Sequence, residues 1–242
     1  MLTARQKRLL EIIIREFSDT AEAVGSIDLP DKYELTISPA TIRNEMARLM
    51  DMGYLQKPHS SSGRVPTTLA FKYFLQDILD EFEDIDIKER AVFNEDLFQK
   101  RFNADHLMLS AVNALNELTS NASIALIEDK IFHAGLSELL DNPEFQDLEK
   151  FKSILSIIED YSEMASILNR YRDKSEDVRI LIGEETGSKI LDNCAIVFVP
   201  ITLYSNTSGF LAVFGPNRMN YRKVVPALKY ISDKIEDILR DW

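Results

Sequence analysis

Apolar positions recur at helical spacing in the N-terminal third of the chain and fall into β-branched runs near its C-terminus. The changes of period mark the elements. Leu9, Ile12, Ile13 and Phe17 line one face of a helix predicted over 4–20, with Thr3 and Gln6 placed as a capping-box pair. Val24-Gly25-Ser26 reads as a turn, with Ser26 set to cap a short second helix over 27–33. The sharpest pattern is 38–53, SPATIRNEMARLMDMG. Ser38 is an N-cap residue, Pro39 suits the first helical position, where its missing N–H costs nothing, and Gly53 suits a left-handed stop. Between them Ile42, Met46, Leu49 and Met50 form one apolar stripe. At about 100° per residue, the opposite face carries Ala40, Thr41, Asn44, Ala47 and Arg48, with Arg43 on a flank.

Taken alone, such a helix is usually an amphipathic element with a solvated polar face. The next fifteen or so residues change the reading. Tyr54-Leu55-Gln56-Lys57 is a short strand, Pro58 to Gly63 is turn-rich, and Arg64-Val65-Pro66 returns. Helix, strand, basic-tipped turn, strand is the order of a winged helix. Small, amide-bearing and cationic groups on the outer face can then reach base edges and phosphates. Asn44 can pair with adenine through both amide groups, and Arg64 at the turn can contact phosphate or enter a narrow minor groove.

Thr67 caps a helix predicted over 68–83. Phe71, Phe74 and Leu75 close the small core, while Ile78, Leu79 and Phe82 point to continued contact with another domain or another chain. The acidic stretch 81–89 reads as a linker. Residues 90–120 read as helical with a break at Asn103, and their apolar face is either domain core or a dimer seam. From 122 the texture changes. Strands are predicted over 123–127 and 130–134, a short helix over 136–140, helical stretches over 143–160 and 161–171, and strands over 178–182, 195–203 and 209–214. A final helix is predicted over 221–240, with Pro226 in its first turns. The expected class is α+β: an N-terminal winged helix-turn-helix over 1–80, a linker and connecting helices over 81–121, and an antiparallel sheet with helices over 122–242.

Charge sharpens that division. Of the net −12, residues 1–80 carry −1 (ten Lys and Arg against eleven Asp and Glu) and residues 81–242 carry −11 (eighteen against twenty-nine). The part expected to meet phosphates is the less acidic one. It is not strongly basic, so moderate affinity per protomer is expected, with dimerisation supplying the rest. The single cysteine, Cys194, lies in the apolar run AIVFV and excludes a disulfide framework. His59, His106 and His133 are scattered, so no metal or other cofactor is expected. Gly183-Glu184-Glu185-Thr186-Gly187 lacks the Lys and Ser/Thr of a phosphate loop, and its carboxylates would repel one. No apolar run approaches the ~20 residues that span a bilayer, which gives the expectation of a cytoplasmic protein without a membrane partner.

Several separated motifs resemble the HrcA family of heat-inducible transcription repressors: VGS at 24–26, SPATIRNEM at 38–46, GYLQKPHSSSGRVPT at 53–67, GLSELLDNPEF at 135–145, ILIGEE at 180–185 and FGPNRMNY at 214–221. The resemblance implies a winged-helix DNA-binding domain followed by a GAF-like domain. It implies a homodimer on double-stranded DNA bearing an inverted repeat, the CIRCE operator, upstream of chaperone genes, and the chaperonin GroEL as the factor that keeps the repressor competent. Carried onto this chain, the recognition positions are Ser38, Thr41, Arg43, Asn44 and Arg48. The wing positions are His59, Ser60, Ser61, Ser62, Gly63 and Arg64.

The chain departs from the family between its long helices and the GLSELL motif. The family carries there part of the GAF-like domain and an inserted dimerisation domain, and here only about 122–133 fills the place. The expectation is a shortened member with a trimmed GAF-like domain. The expected function is sequence-specific repression without chemistry. The alternative is a regulator whose C-terminal domain senses a small molecule. An enzyme has no support from any grouping of Ser, His, Asp or Cys.

Overall fold

A computed structural model describes residues 2–58, 63–78, 87–171, 178–203 and 208–240. The chain divides into two compact units, residues 1–80 and 81–242. Helices and antiparallel sheet occur together, as the expected α+β class requires.

In the first unit α1 (Ala4–Thr20), α2 (Leu29–Lys32) and α3 (Pro39–Asp51) precede an antiparallel ribbon of β1 (Leu55–Gln56) and β2 (Val65–Pro66), and α4 (Thr68–Ile78) comes after it. The capping box starts α1 where the spacing places it. Thr3 Oγ1 accepts the Gln6 N–H at 3.3 Å, and Gln6 Oε1 accepts the Thr3 N–H at 3.0 Å. Leu9, Leu10, Ile13 and Ile14 are buried against α3 and α4. The second helix is shorter than predicted and begins two residues later. Asp28 precedes it without a side-chain cap bond, and Ser26 is buried. Leu29 is the residue that enters the core, while Ile27 stands 66% exposed, so packing sets the phase of this short helix.

In the second unit α5 (Ile87–Lys100) and α6 (Ala104–Thr119) lead into β3 (Ala122–Ile127) and β4 (Lys130–Ala134). After two 3₁₀ turns come α7 (Leu148–Ile158), α8 (Tyr161–Asn169), β5 (Arg179–Ile182), β6 (Cys194–Thr202), β7 (Ser208–Pro216) and α9 (Tyr221–Arg240). The helical break falls at Asn103, whose side-chain oxygen accepts the His106 N–H at 3.1 Å and caps α6. Residues 104–119, read from sequence as part of a connecting stretch, lie against β3, β4 and α9.

The five strands are antiparallel in the order β4-β3-β7-β6-β5. The β3–β7 pairing joins segments far apart in the chain, from Ala122 opposite Phe214 to Ile127 opposite Gly209. Side chains alternate between two covered faces. Ile124, Leu126, Ile196, Phe198, Phe210 and Phe214 pack with Phe151, Ile154, Ile158, Met164 and Leu168 of α7 and α8. The intervening residues, such as Ala125, Val197 and Val213, are equally buried on the side of α6 and α9. Both faces being covered explains why β3 reads as one apolar run rather than an alternation.

One further helix start differs from the sequence reading, and the last helix keeps the predicted bounds. The stretch 143–160 is not one helix. A 3₁₀ turn at Pro143–Phe145 is followed by α7, because Asp147 Oδ1 accepts the N–H groups of Glu149 and Lys150 and starts the helix there. The last helix runs through Pro226. The proline withdraws one N–H near the beginning of a twenty-residue helix, a small loss against the burial of Val224, Val225, Leu228, Ile231 and Ile235.

Candidate nucleic-acid interface

The face predicted to meet DNA is assembled by α3 and by the ribbon after it. Ser38 is extended at φ −70° and ψ 155°, and its hydroxyl accepts the Thr41 N–H at 3.2 Å. The two hydroxyls of Ser38 and Thr41 also meet at 3.0 Å, so both are held at the first turn. Ile42, Met46 and Leu49 are buried and anchor the helix from below. Ala40, Arg43, Asn44, Ala47 and Arg48 are all exposed, and Thr41 is half-buried. Arg43 and Asn44 make no side-chain hydrogen bond or ion pair among the described residues.

Arg48 is directed by Glu45. Its Nη1 lies 3.2 Å from Glu45 Oε1, and the other oxygen of that carboxylate accepts Gln6 Nε2 at 3.0 Å. Glu45 is only 7% exposed. One amide therefore closes the α1 cap through its oxygen and ties α1 to α3 through its nitrogen. By sequence proximity Glu45 and Asp51 are candidate partners of Arg43; the structure pairs Glu45 with Arg48 and buries it. Sequence reasoning misses the tie of Gln6 to Glu45. The signal that could have found it is a carboxylate placed between Ile42 and Leu49 on the inward side of the helix.

Of the wing positions, Gly63 and Arg64 are described, while His59, Ser60, Ser61 and Ser62 lie outside the described residues. The return strand is fastened twice. Arg64 exchanges both backbone hydrogen bonds with Val24, at 2.8 and 2.9 Å. Gly63 lies so close to this pair that a Cβ would come within 2.4 Å of the Val24 carbonyl oxygen. The Val24 turn and the return strand that begins at Gly63, distant in sequence, are thus one contact. Thr67 completes the closure: its hydroxyl donates to the Gly53 carbonyl at 2.7 Å and accepts the Ala70 N–H at 3.3 Å. Tyr54 and Tyr73 stack edge to face at 5.4 Å, with Lys7 Nζ 5.4 Å from the Tyr73 ring.

Burial pushes the Cys194 thiol up to about 12, and the residue is fully enclosed. Burial likewise raises the Tyr221 hydroxyl. No group of three or more His, Cys, Asp or Glu positioned to hold a metal occurs among the described residues. The loop after β5 is a 3₁₀ turn flanked by Gly183 and Gly187 at positive φ, with Glu185 accepting the Ile182 N–H at 3.1 Å. No described helix is long and apolar enough to cross a membrane.

Residues 70–225 match the model of the HrcA protein C-terminal domain. The chain belongs to the HrcA family. Similar proteins include the heat-inducible transcription repressors HrcA of Carboxydothermus hydrogenoformans, 27% identical with 99% of this chain and 98% of the relative aligned, and of Lysinibacillus sphaericus, 26% identical with 96% of each aligned. The first of these alignments is 340 positions long against 242 residues here, so at least 98 positions (340 − 242) hold no residue of this chain. A crystal structure described as that of a hypothetical protein at 2.2 Å resolution shares the fold at a TM-score of 0.81 and 17% identity, covering 100% of this chain and 99% of that one.

The structure gives the HrcA-like motifs of the second unit a physical role. Arg218 of FGPNRMNY donates from Nε to Glu144 Oε1 at 2.7 Å and from Nη2 to Asn142 Oδ1 at 3.0 Å, both in GLSELLDNPEF. Phe145 and Phe214, from the same two motifs, are in ring contact at 6.4 Å. Asn116 Nδ2 donates to Glu138 at 2.9 Å and to the Asn121 carbonyl at 3.1 Å. These segments hold the second unit together.

Proposed function

We propose that this chain is a transcription repressor of heat-inducible genes that binds an inverted-repeat operator of the CIRCE type as a homodimer. The curated HrcA relatives are heat-inducible transcription repressors, and the family reading carries no catalysis. On this reading the first unit is a winged helix-turn-helix. Two copies of α3 enter successive major grooves about one helical turn apart, with the ribbons on the flanks. Asn44 reads a base edge, Arg43 and Arg48 meet the DNA at the groove, Ser38 and Thr41 set the entry of the helix, and His59–Arg64 contact backbone or minor groove. The second unit is a GAF-like domain, trimmed relative to longer members, with α6 packed on its sheet.

The observation that carries the reading is the outward face of α3. Its apolar side is buried, while Arg43 and Asn44 are presented without partners among the described residues. Repression comes from occupancy of the promoter in the cytoplasm, and heat relieves it by destabilising the DNA-competent form. A gel shift on an inverted-repeat duplex tests it: Arg43→Ala and Arg64→Ala each weaken binding, and unchanged binding in both overturns the site assignment. Adding GroEL to the same assay on heat-treated protein tests the chaperonin, whose role predicts a recovery of shifted complex.

A further inference from the structure

Beside α3 the first unit holds an open cleft of about 340 Å³ that the outward face of that helix does not use. Arg5 and Arg8 on the first turns of α1 form one wall, and the backbone leading through Thr36 and Ile37 forms the other, with the buried Leu9 between them. Both guanidinium groups are exposed, and neither has a hydrogen-bond or ion-pair partner among the described residues. Glu34 also lines the cleft, so its formal charge is +1 from two arginines and one carboxylate.

Its position relative to α3 is set by covalent and hydrogen-bonded links. Ile37 runs directly into Ser38, the cap of α3. Gln6, between the two arginines, holds Glu45 of α3 at 3.0 Å. Ile37 sets the cleft at the N-terminal end of α3, the end with which a recognition helix contacts base edges, so its two guanidinium groups stand on the side of the unit that approaches the phosphates bordering the groove. Contacts of that kind fix register and orientation and carry no sequence information.

We propose that Arg5 and Arg8 form a backbone-phosphate site that seats α3 on duplex DNA. The proposal rests on the DNA-binding reading of this chain and extends it to residues that no resemblance assigns. The test is fluorescence anisotropy of the full chain on an operator duplex and on a scrambled duplex, across a sodium chloride series. Loss of two phosphate contacts lowers the slope of log K against log salt by about 1.8 per protomer. R5Q/R8Q is expected to show that drop, and to lose affinity for both duplexes by the same factor, with its circular dichroism melt unchanged. R15Q removes an exposed α1 charge outside the cleft and keeps the wild-type slope. E34Q removes the opposing carboxylate and tightens binding to both duplexes. A wild-type slope in R5Q/R8Q, a loss confined to the operator, or an equal drop in R15Q overturns the phosphate site while leaving the DNA-binding reading standing. Absence of duplex binding by the wild-type chain overturns both.

Discussion

Gly63→Ala tests how the return strand is fastened to the rest of the first unit. A Cβ at this position meets the Val24 carbonyl oxygen at 2.4 Å, the Val24 carbonyl carbon at 2.6 Å and the Ala23 carbonyl oxygen at 2.7 Å. All three are backbone atoms, so no side-chain rotation relieves the overlap and the two segments must separate. The separation falls on the paired hydrogen bonds between Val24 and Arg64, 2.8 and 2.9 Å long. Two such bonds are worth about 2 kcal/mol together. Backbone shift under overpacking adds about 1–3 kcal/mol, for a total of about 3–5 kcal/mol. In a unit of this size each kcal/mol moves the melting temperature by roughly 4–8 °C, so a fall of more than about 10 °C is expected. Gly25→Ala is the internal control. Nothing lies within 4 Å of its Cβ, and its φ is outside the left-handed region. That substitution is expected to be neutral or to stabilise by up to about 1 kcal/mol, through the lower entropy of the unfolded chain. Scanning calorimetry reads both, and hydrogen exchange of the Val24 and Arg64 amides reads the bridge directly. If Gly63→Ala melts with the wild type and both amides stay protected, the close-approach argument is wrong.

Three further outcomes come from the same geometry. Glu45→Ala leaves the buried Gln6 amide without its acceptor and is expected to cost about 1–3 kcal/mol, whereas Glu45→Gln keeps an acceptor oxygen and costs less; urea titration separates them. The Glu16 carboxyl is held below its ordinary 4.5 by hydrogen bonds from Lys32 and Tyr33. A group with a depressed folded pKa stabilises fully above its unfolded pKa and loses that contribution as pH falls through the folded one. Acid melts of the wild type should therefore show a component below about pH 4.5 that is absent in Glu16→Gln. Arg218→Ala removes the partner of Glu144 in a pair whose side chains are 11% and 20% exposed, with an expected loss of about 3 kcal/mol; a thermal melt of the second unit checks it.

The helix boundaries legible in the sequence are those signalled by a cap. Thr3 with Gln6, Ser38 with Pro39, and Asn103 each begin a helix where the side chain satisfies a free N–H. Local chemistry of this kind needs nothing from the rest of the chain. The short second helix is misplaced by pattern alone because Ile27 and Leu29 are equally apolar, and only the core decides which of them it admits. The start of α7 is misplaced because Asn142 and Asp147 are both cap residues. Asn142 is occupied by Arg218, 76 residues on, which leaves Asp147 to cap the helix.

The candidate interface divides along the same line. The polar face of α3 is a matter of spacing, and Arg43, Asn44 and Arg48 are exposed as their positions require. The hold of the buried Glu45 on Gln6 and the closure of Gly63 against Val24 join residues tens of positions apart. No periodicity encodes such pairs. The cleft formed by Arg5, Arg8 and the 34–37 segment is another of this kind.

The sequence by itself determined the element types, most helix starts, the outward face of α3 and the family, because caps, glycines and apolar periods act over one or two turns. Only the tertiary structure decided the strand order β4-β3-β7-β6-β5, the pairing of β3 with β7 and the fastening of the return strand to the Val24 turn. Those choices depend on which distant surfaces bury one another, and burial is a property of the whole fold rather than of any window along the chain.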